Sequence, residues 1–224
     1  MAKLQNYNYK GMVIAVGGPP HSGKSVFLAE LYRQILARRP ADVFLQRACP
    51  DGEGMWSAES DPTLVKEIRR KGNFDAGFMA FTLKAIEALG LRFPITLVDL
   101  GGRRSAQNAE ILARSSHLIV LSSKEEENKP WQEFAAAEGC ETLAVFASEL
   151  VKLMGSEELD LGTHVRSEIT ASNAAIAGGT LRNLDRGKSG DSEERLAAIR
   201  ECYREAVSRF ADWLIARSDK ESGR

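Results

Sequence analysis

A short motif near the start of the chain carries the chemistry on which the rest depends. Residues 18–25 read Gly-Pro-Pro-His-Ser-Gly-Lys-Ser and fit the phosphate-binding pattern G-x-x-x-x-G-K-[ST]. Glycines bring backbone N–H groups close to an anion, while Lys24 would reach the β- and γ-phosphates and the Ser25 hydroxyl would lie on Mg²⁺. A glycine-rich turn with only a structural role would not require Lys-Ser at this spacing, so we expect a nucleotide site. Its predicted contacts in this stretch are Gly18, Pro19, Pro20, His21, Ser22, Gly23, Lys24, Ser25 and Val26.

A second candidate site residue ends an apolar stretch further along the chain. Residues 94–102 read Pro-Ile-Thr-Leu-Val-Asp-Leu-Gly-Gly, as expected of a buried strand that ends in a carboxylate. Asp99 would bind Mg²⁺ directly or through water, and Gly102 follows at the D-x-x-G spacing by which a backbone N–H contacts the γ-phosphate. An aspartate at a strand end is also a common helix cap. The phosphate-binding motif upstream favours the metal role, with Ser25 and Asp99 as the metal ligands.

Two further stretches carry charged residues that suit phosphoryl transfer. Residues 49–56 read Cys-Pro-Asp-Gly-Glu-Gly-Met-Trp. Asp51 or Glu53 could orient a water, hold Mg²⁺ through its hydration shell or bind a second substrate, and a plain acidic turn is the alternative. Arg103 and Arg104 directly follow Gly102, and a guanidinium there would stabilise charge on the transferring phosphoryl group, bind a second substrate or remain in solvent. The candidate catalytic residues are Lys24, Asp99, Asp51 and Arg103.

The elements around these residues alternate between strand and helix. An unbroken apolar run precedes the first motif, and apolar residues at helical spacing follow it, as expected of a buried parallel strand and an amphipathic helix. We predict a three-layer α/β domain of the P-loop NTPase type, with a mainly parallel sheet and helices on both faces. The predicted strands cover residues 12–16, 43–48, 95–99, 118–121 and 142–147, and a helix over 75–90 should turn Phe78, Phe81, Ile86 and Leu89 inward.

The sequence predicts a single domain over residues 1–224, with residues 1–11 as a lead-in. Residues 150–190 show a less clear pattern of helices and strands, and we interpret them as a lid or an edge-strand insertion. Within them, residues 178–187 place two arginines near glycines, which suits a lid, an adenine-side loop or a plain surface loop. Residues 124–129 are a charge run typical of a solvated loop. Ser192 should cap a long final helix over residues 192–218.

Composition narrows the function classes. The chain has 224 residues, of which 43% are hydrophobic and 27% charged, and its formal net charge of −1 argues against a nucleic-acid coat. Three scattered cysteines without a C-x-x-C pair indicate reduced thiols, and we find neither an apolar run of membrane-spanning length nor a signal-peptide core. We therefore expect a cytoplasmic protein that does not contact a membrane. Because no N-K-x-D sequence follows the fourth or fifth strand, we favour ATP over GTP.

The phosphate-binding motif, the Cys-Pro-Asp-Gly-Glu-Gly segment and the end of the Asp99 strand together carry a resemblance. The chain resembles the P-loop ATPase or kinase-like domain that accompanies, or is fused to, CRISPR-associated ring nucleases of type III systems. Those nucleases degrade cyclic oligoadenylate messengers. The resemblance implies a role in antiviral defence, with a ring nuclease or cyclic oligoadenylate as partner. It covers roughly the first half of the chain, and ring-nuclease activity is not assigned to this chain.

Three functions follow from these residues. The leading hypothesis is Mg²⁺-dependent cleavage of the β–γ phosphate bond of ATP. A kinase that transfers the γ-phosphate to a nucleotide or small molecule is the first alternative, because the acidic and arginine residues could line an acceptor site. The second alternative is a nucleotide-gated interaction module with little turnover, which could assemble as a homo-oligomer.

Overall fold

The chain alternates between strands and helices throughout its described parts. The computed structural model describes residues 8–49, 76–151, 165–170, 176–185 and 192–223. The strands are β1 (Met12–Gly17), β2 (Val43–Arg47), β3 (Ile95–Asp99), β4 (His117–Ser122), β5 (Glu141–Glu149), β6 (Glu168–Thr170) and β7 (Ala177–Arg182). The helices in these ranges are α1 (Lys24–Arg38), α2 (Ala76–Arg92), α3 (Ala106–Leu112), α4 (Asn128–Ala137) and α5 (Glu193–Ser222), and a 3₁₀ turn covers Glu125–Glu127.

The strands form one sheet in the order β2-β3-β1-β4-β5-β7-β6. All neighbouring strands run parallel except β6, which pairs antiparallel with β7 at one edge. Strand β1 lies between β3 and β4, and Val16 is in register with Asp99. The carboxyl ends of β1 and β3 therefore lie side by side at one edge of the sheet, where open α/β folds bind their ligands.

The hydrophobic core is divided by the sheet into two layers. Met12, Ile14 and Val16 of β1 pack in one layer with residues of α1 and α5. Val13 and Ala15, which point the other way, pack in the second layer with residues of α2, α3 and α4. Burial on both faces explains why β1 is uniformly apolar instead of alternating. The predicted three-layer α/β fold with a mainly parallel sheet is confirmed.

Three local expectations differ from the structure. Helix α2 does not end at Gly90 but continues to Arg92, and Phe81 points outward with 69% of its side chain exposed. Helix α5 continues past residue 218 to Ser222, where Gly223 adopts the left-handed conformation. Residues 177–182 form the strand β7, inside the sheet, instead of a surface loop, while β6 is the expected edge strand. None of the helices in the described ranges is long and apolar enough to span a bilayer.

Candidate functional site

The loop between β1 and α1, residues 18–23, turns sharply around two glycines. Gly18 and Gly23 have φ of 142° and 78°, values that favour glycine, and His21 also has a positive φ of 61°. Gly23 caps α1, and the first turn of that helix contains no acidic residue. The positive end of the α1 dipole and its first N–H groups therefore face this loop, and the helix itself contributes no carboxylate there. We call residues 18–23 the glycine-rich loop.

Lys24 brings its ammonium group into the glycine-rich loop. Although Lys24 is the first residue of α1, only 8% of it is exposed, and its Nζ donates to the carbonyl oxygens of Gly18 at 3.0 Å and Pro19 at 2.8 Å. Ser22, fully buried, donates its hydroxyl to the same Pro19 carbonyl at 2.9 Å. The loop thus encloses a cation, held by two of its own carbonyl oxygens.

Ser25 and Asp99 meet at the carboxyl edge of the sheet. The Ser25 hydroxyl donates to Oδ2 of Asp99 at 3.0 Å across 74 positions of sequence. Asp99 is 7% exposed and ends β3 beside the end of β1, and the glycine-rich loop leads from β1 to Ser25 in the first turn of α1. One carboxylate oxygen and one hydroxyl oxygen side by side are hard ligands of the kind that Mg²⁺ uses together with water and substrate phosphates.

The segment that follows Asp99 lies against the glycine-rich loop. We call residues 100–104 the β3–α3 turn. A Cβ added to Gly102 would lie 2.7 Å from the backbone nitrogen of Pro20, which is closer than real contacts allow, so only glycine permits this approach. Gly102, at the D-x-x-G spacing from Asp99, therefore lies directly against the glycine-rich loop. The turn is held from behind by Asn108 of α3, a residue that sequence reasoning did not single out.

The two arginines of this turn have different surroundings. Arg104 forms an ion pair with Glu127, and its guanidinium carbon lies 5.9 Å from the centre of the Trp131 ring. Residues 124–129 are therefore not a simple solvated loop, because Glu127 of the 3₁₀ turn binds Arg104. Arg103 is exposed, and within the described parts of the chain its side chain forms no ion pair or hydrogen bond. Among the residues that the structure describes, Arg104 therefore has a partner to release and Arg103 has none.

The segment after β7 approaches the glycine-rich loop from the other side. A Cβ on Gly23 would lie 2.5 Å from Cβ of Leu184. Leu184 is held there by Asn183, which has a left-handed φ of 55° and whose side-chain oxygen accepts from the N–H of Val151 at 2.9 Å. Residues 183–185 therefore border the site. The one sequence signal for this was the asparagine, which tolerates positive φ better than most residues.

The site predicted from the sequence also includes two acidic residues and Val26. Asp51 and Glu53 lie outside the described residues. Val26 is 6% exposed and packs in the α1–α5 core layer, so a ligand in the loop would meet its backbone and not its side chain.

Comparison with known proteins supports the fold. No protein-family model and no curated protein matches the chain. A crystal structure of cobyrinic acid a,c-diamide synthase from Mycobacterium smegmatis is 14% identical, with a TM-score of 0.52 and coverage of 95% of this chain and 96% of the other. A structure of that enzyme with bound ADP and magnesium has 12% identity, a TM-score of 0.45 and coverage of 61% and 74%. The signal recognition particle receptor FtsY from Elizabethkingia anophelis has 15% identity, a TM-score of 0.38 and coverage of 62% and 50%. At these identities the likeness concerns the fold alone.

Proposed function

We propose that the chain binds Mg-ATP at the glycine-rich loop and cleaves the bond between its β- and γ-phosphates. The observation that carries this proposal is the enclosed ammonium of Lys24, which lies within 3.0 Å of two loop carbonyls beside the Ser25–Asp99 contact. Phosphate oxygens are stronger acceptors for an ammonium group than neutral carbonyls, so Lys24 would exchange these partners for the nucleotide. The cobyrinic acid a,c-diamide synthase structures, one with ADP and magnesium and one with an ATP analogue and magnesium, agree in ligand type.

Each residue has a specific part in the proposed reaction. The loop N–H groups and Lys24 would hold the β- and γ-phosphates, and Ser25 with Asp99 would hold Mg²⁺, which neutralises charge on the phosphate oxygens. Gly102 lies next to the loop and would contact the γ-phosphate through its N–H. Arg103, exposed beside Gly102, would stabilise the charge that develops on the transferring group.

Transfer to a second substrate is the first alternative to hydrolysis. Asp51 would serve as the base that accepts a proton from a hydroxyl or from water. The exposed Arg103 favours an acceptor site here, because its guanidinium is available to a ligand that approaches from solvent. We retain ATP over GTP from the sequence, in which N-K-x-D is absent after β4 and β5.

A nucleotide-gated interaction module is the second alternative. The observation that favours it is the path from Gly102, against Pro20, to Arg104, paired with Glu127 at the surface. A change at the glycine-rich loop would be passed to this surface pair. The resemblance of the sequence to domains that accompany type III CRISPR ring nucleases supports a ring nuclease or cyclic oligoadenylate as the partner.

The experiment that tests the proposal measures phosphate release from Mg-ATP and Mg-GTP with the wild type and with Lys24→Ala. Lys84→Ala removes an exposed lysine of α2 and is the matched control. We expect release from ATP that Lys24→Ala abolishes and Lys84→Ala preserves, and stimulation by cyclic oligoadenylate would support the proposed pathway. Tight, Lys24-dependent binding of ATP without release would favour the kinase or the gated module. A wild type that neither binds nor cleaves ATP would overturn the proposal.

A further inference from the structure

Asn108 is a buried residue of α3 that contacts the β3–α3 turn at two points. Its Nδ2 donates to the carbonyl oxygen of Gly101 at 3.0 Å and to that of Arg103 at 2.7 Å. Its backbone N–H donates to the Ser105 hydroxyl, which caps α3. Only 1% of Asn108 is exposed. One amide group therefore holds both carbonyls that flank Gly102.

The first of these bonds sets the direction of the Gly102 N–H. The carbonyl of Gly101 and the N–H of Gly102 belong to the same peptide unit, which is planar and trans, so the two groups point in opposite directions. Because Asn108 draws the carbonyl toward α3, it turns the N–H away from α3. Gly102 itself lies against Pro20 of the glycine-rich loop.

The side chain is held in place at the expense of an unsatisfied atom. Among the described residues, the buried Oδ1 of Asn108 has no hydrogen-bond partner. Two carbonyl oxygens require a donor, so the amide cannot be reversed to satisfy Oδ1. Buried polar atoms without partners are uncommon in proteins and often mark functional sites. Neither Asp nor Leu, which are similar in size, could donate these two bonds.

We propose that Asn108 is a positioning residue for the γ-phosphate: it fixes the Gly101–Gly102 peptide so that the Gly102 N–H selects a nucleoside triphosphate over a diphosphate. This rests on the proposed function, since it assumes that the phosphates bind in the glycine-rich loop. Asn108 itself does not touch the nucleotide. Its effect is confined to the terminal phosphate, which distinguishes it from residues that bind every nucleotide alike.

The test compares the affinities of the wild type, Asn108→Asp and Asn108→Leu for Mg-ADP and for a non-hydrolysable Mg-ATP analogue. A hydrogen bond to a charged phosphate changes affinity by about tenfold or more, so we expect both variants to lose about that much of the preference for the triphosphate. Their affinity for ADP should stay within about twofold of the wild type. Ser115→Ala is the matched control, because it removes a buried hydrogen bond to Ile111 at the other end of α3 and should keep the preference.

Each result has a distinct meaning. If the wild type binds neither nucleotide, the proposed function fails, and this inference with it. The inference alone is overturned if the wild type binds both nucleotides without preferring the triphosphate. It is also overturned if both variants keep the preference of the wild type, or lose ADP and triphosphate affinity equally. Hydrogen–deuterium exchange of the backbone amides in the wild type is a second test, which does not require the variants to fold. Peptides that cover residues 100–105 should exchange more slowly with the ATP analogue than with ADP, and equal exchange would also overturn the inference.

Discussion

The carboxyl and amino edges of the sheet use similar polar side chains in different ways. At the carboxyl edge, Lys24 donates to carbonyls of its own loop, and Ser25 donates to Asp99. At the amino edge, the polar side chains connect separate elements. The Ser116 hydroxyl, just before β4, accepts from the N–H of Val13 in β1 at 2.9 Å and contacts Nδ1 of His117 at 2.8 Å.

This difference separates residues that stabilise the fold from residues that are available to a ligand. Hydrogen bonds at the amino edge join β1 to the residue before β4, and α5 to the residue before β3, where the Ser218 hydroxyl donates to the carbonyl of Pro94 at 3.2 Å. Loss of these hydrogen bonds would weaken the connections between elements of the fold. The contacts at the carboxyl edge lie within one loop or between the start of α1 and the end of β3, and a nucleotide could replace them without moving any strand. The predictions below test this contrast, from the largest expected effect to the smallest.

The largest effect is expected at the carboxyl edge from Asp99→Asn. Asparagine keeps an oxygen that can accept from the Ser25 hydroxyl, so the free energy of unfolding should change little, but it removes the charge that would bind Mg²⁺. We expect Mg²⁺-dependent nucleotide affinity or turnover to fall by about 10–100-fold. Titration of nucleotide at several Mg²⁺ concentrations measures this. An unchanged Mg²⁺ dependence would remove Asp99 from the metal site.

At the amino edge, Ser116→Ala is expected to have a smaller effect, which lowers stability and leaves nucleotide binding unchanged. The change leaves the N–H of Val13, a fully buried residue, without its side-chain partner. We expect the free energy of unfolding to fall by about 1–3 kcal/mol, with no change in nucleotide affinity. Urea unfolding and nucleotide titration measure the two quantities. Ser222→Ala, which removes a hydrogen bond within α5, is the control and should have a smaller effect. A loss of nucleotide affinity in Ser116→Ala would contradict the contrast between the edges.

The smallest effect concerns the pH dependence of stability at His117. Burial lowers the pKa of His117 below its ordinary value of 6.5. This outweighs the attraction of Glu221 and Glu141, and the positive charge of Arg217 acts in the same direction as burial. The folded protein therefore binds this proton less readily than the unfolded chain does. The stabilising contribution is complete above pH 6.5 and is lost as the pH falls from there through the folded-state pKa.

Replacement of the imidazole isolates this contribution. In His117→Gln, the free energy of unfolding should fall less steeply than in the wild type as the pH is lowered from about 8 to 5. Urea unfolding at a series of pH values measures both slopes, and carboxyl groups common to both proteins cancel in the comparison. Parallel slopes would show that His117 titrates alike in the folded and unfolded states.

Local patterns predicted the centre of the fold and the elements that carry the residues of the candidate site. The strand, glycine-rich loop and helix over residues 12–38 follow from a short continuous stretch of sequence. The contact between Ser25 and Asp99 also follows from local patterns, because Ser25 begins the helix that leaves the carboxyl end of β1 and Asp99 ends the adjacent parallel strand β3. In these cases, residue type and position along an element determine the outcome.

Other features depend on tertiary contacts that no local pattern contains. Strand β7 includes Gly178 and Gly179, which weaken strand propensity, yet a Cβ on Gly179 would lie 2.0 Å from the carbonyl oxygen of Glu168 in β6. Because β6 approaches so closely, position 179 requires glycine, and the same glycine makes the strand difficult to recognise from the sequence. Asn108 is similar, because a single asparagine in a short helix has no signature until the turn that it holds is known.

The burial of Trp131 gives this protein an internal optical probe. Its ring lies so close to Gly17 that a Cβ there would be 2.8 Å from a ring atom. The guanidinium of Arg104, which is paired with Glu127, lies 5.9 Å from the centre of the same ring. Indole emission responds to nearby charge, so rearrangement of the β3–α3 turn would change the fluorescence of Trp131. Trp213 stacks on Phe210 in α5, and replacing it and Trp56 by phenylalanine would leave Trp131 as the only tryptophan of the three. The fluorescence of Trp131 would therefore follow rearrangement of the β3–α3 turn in real time without an attached label.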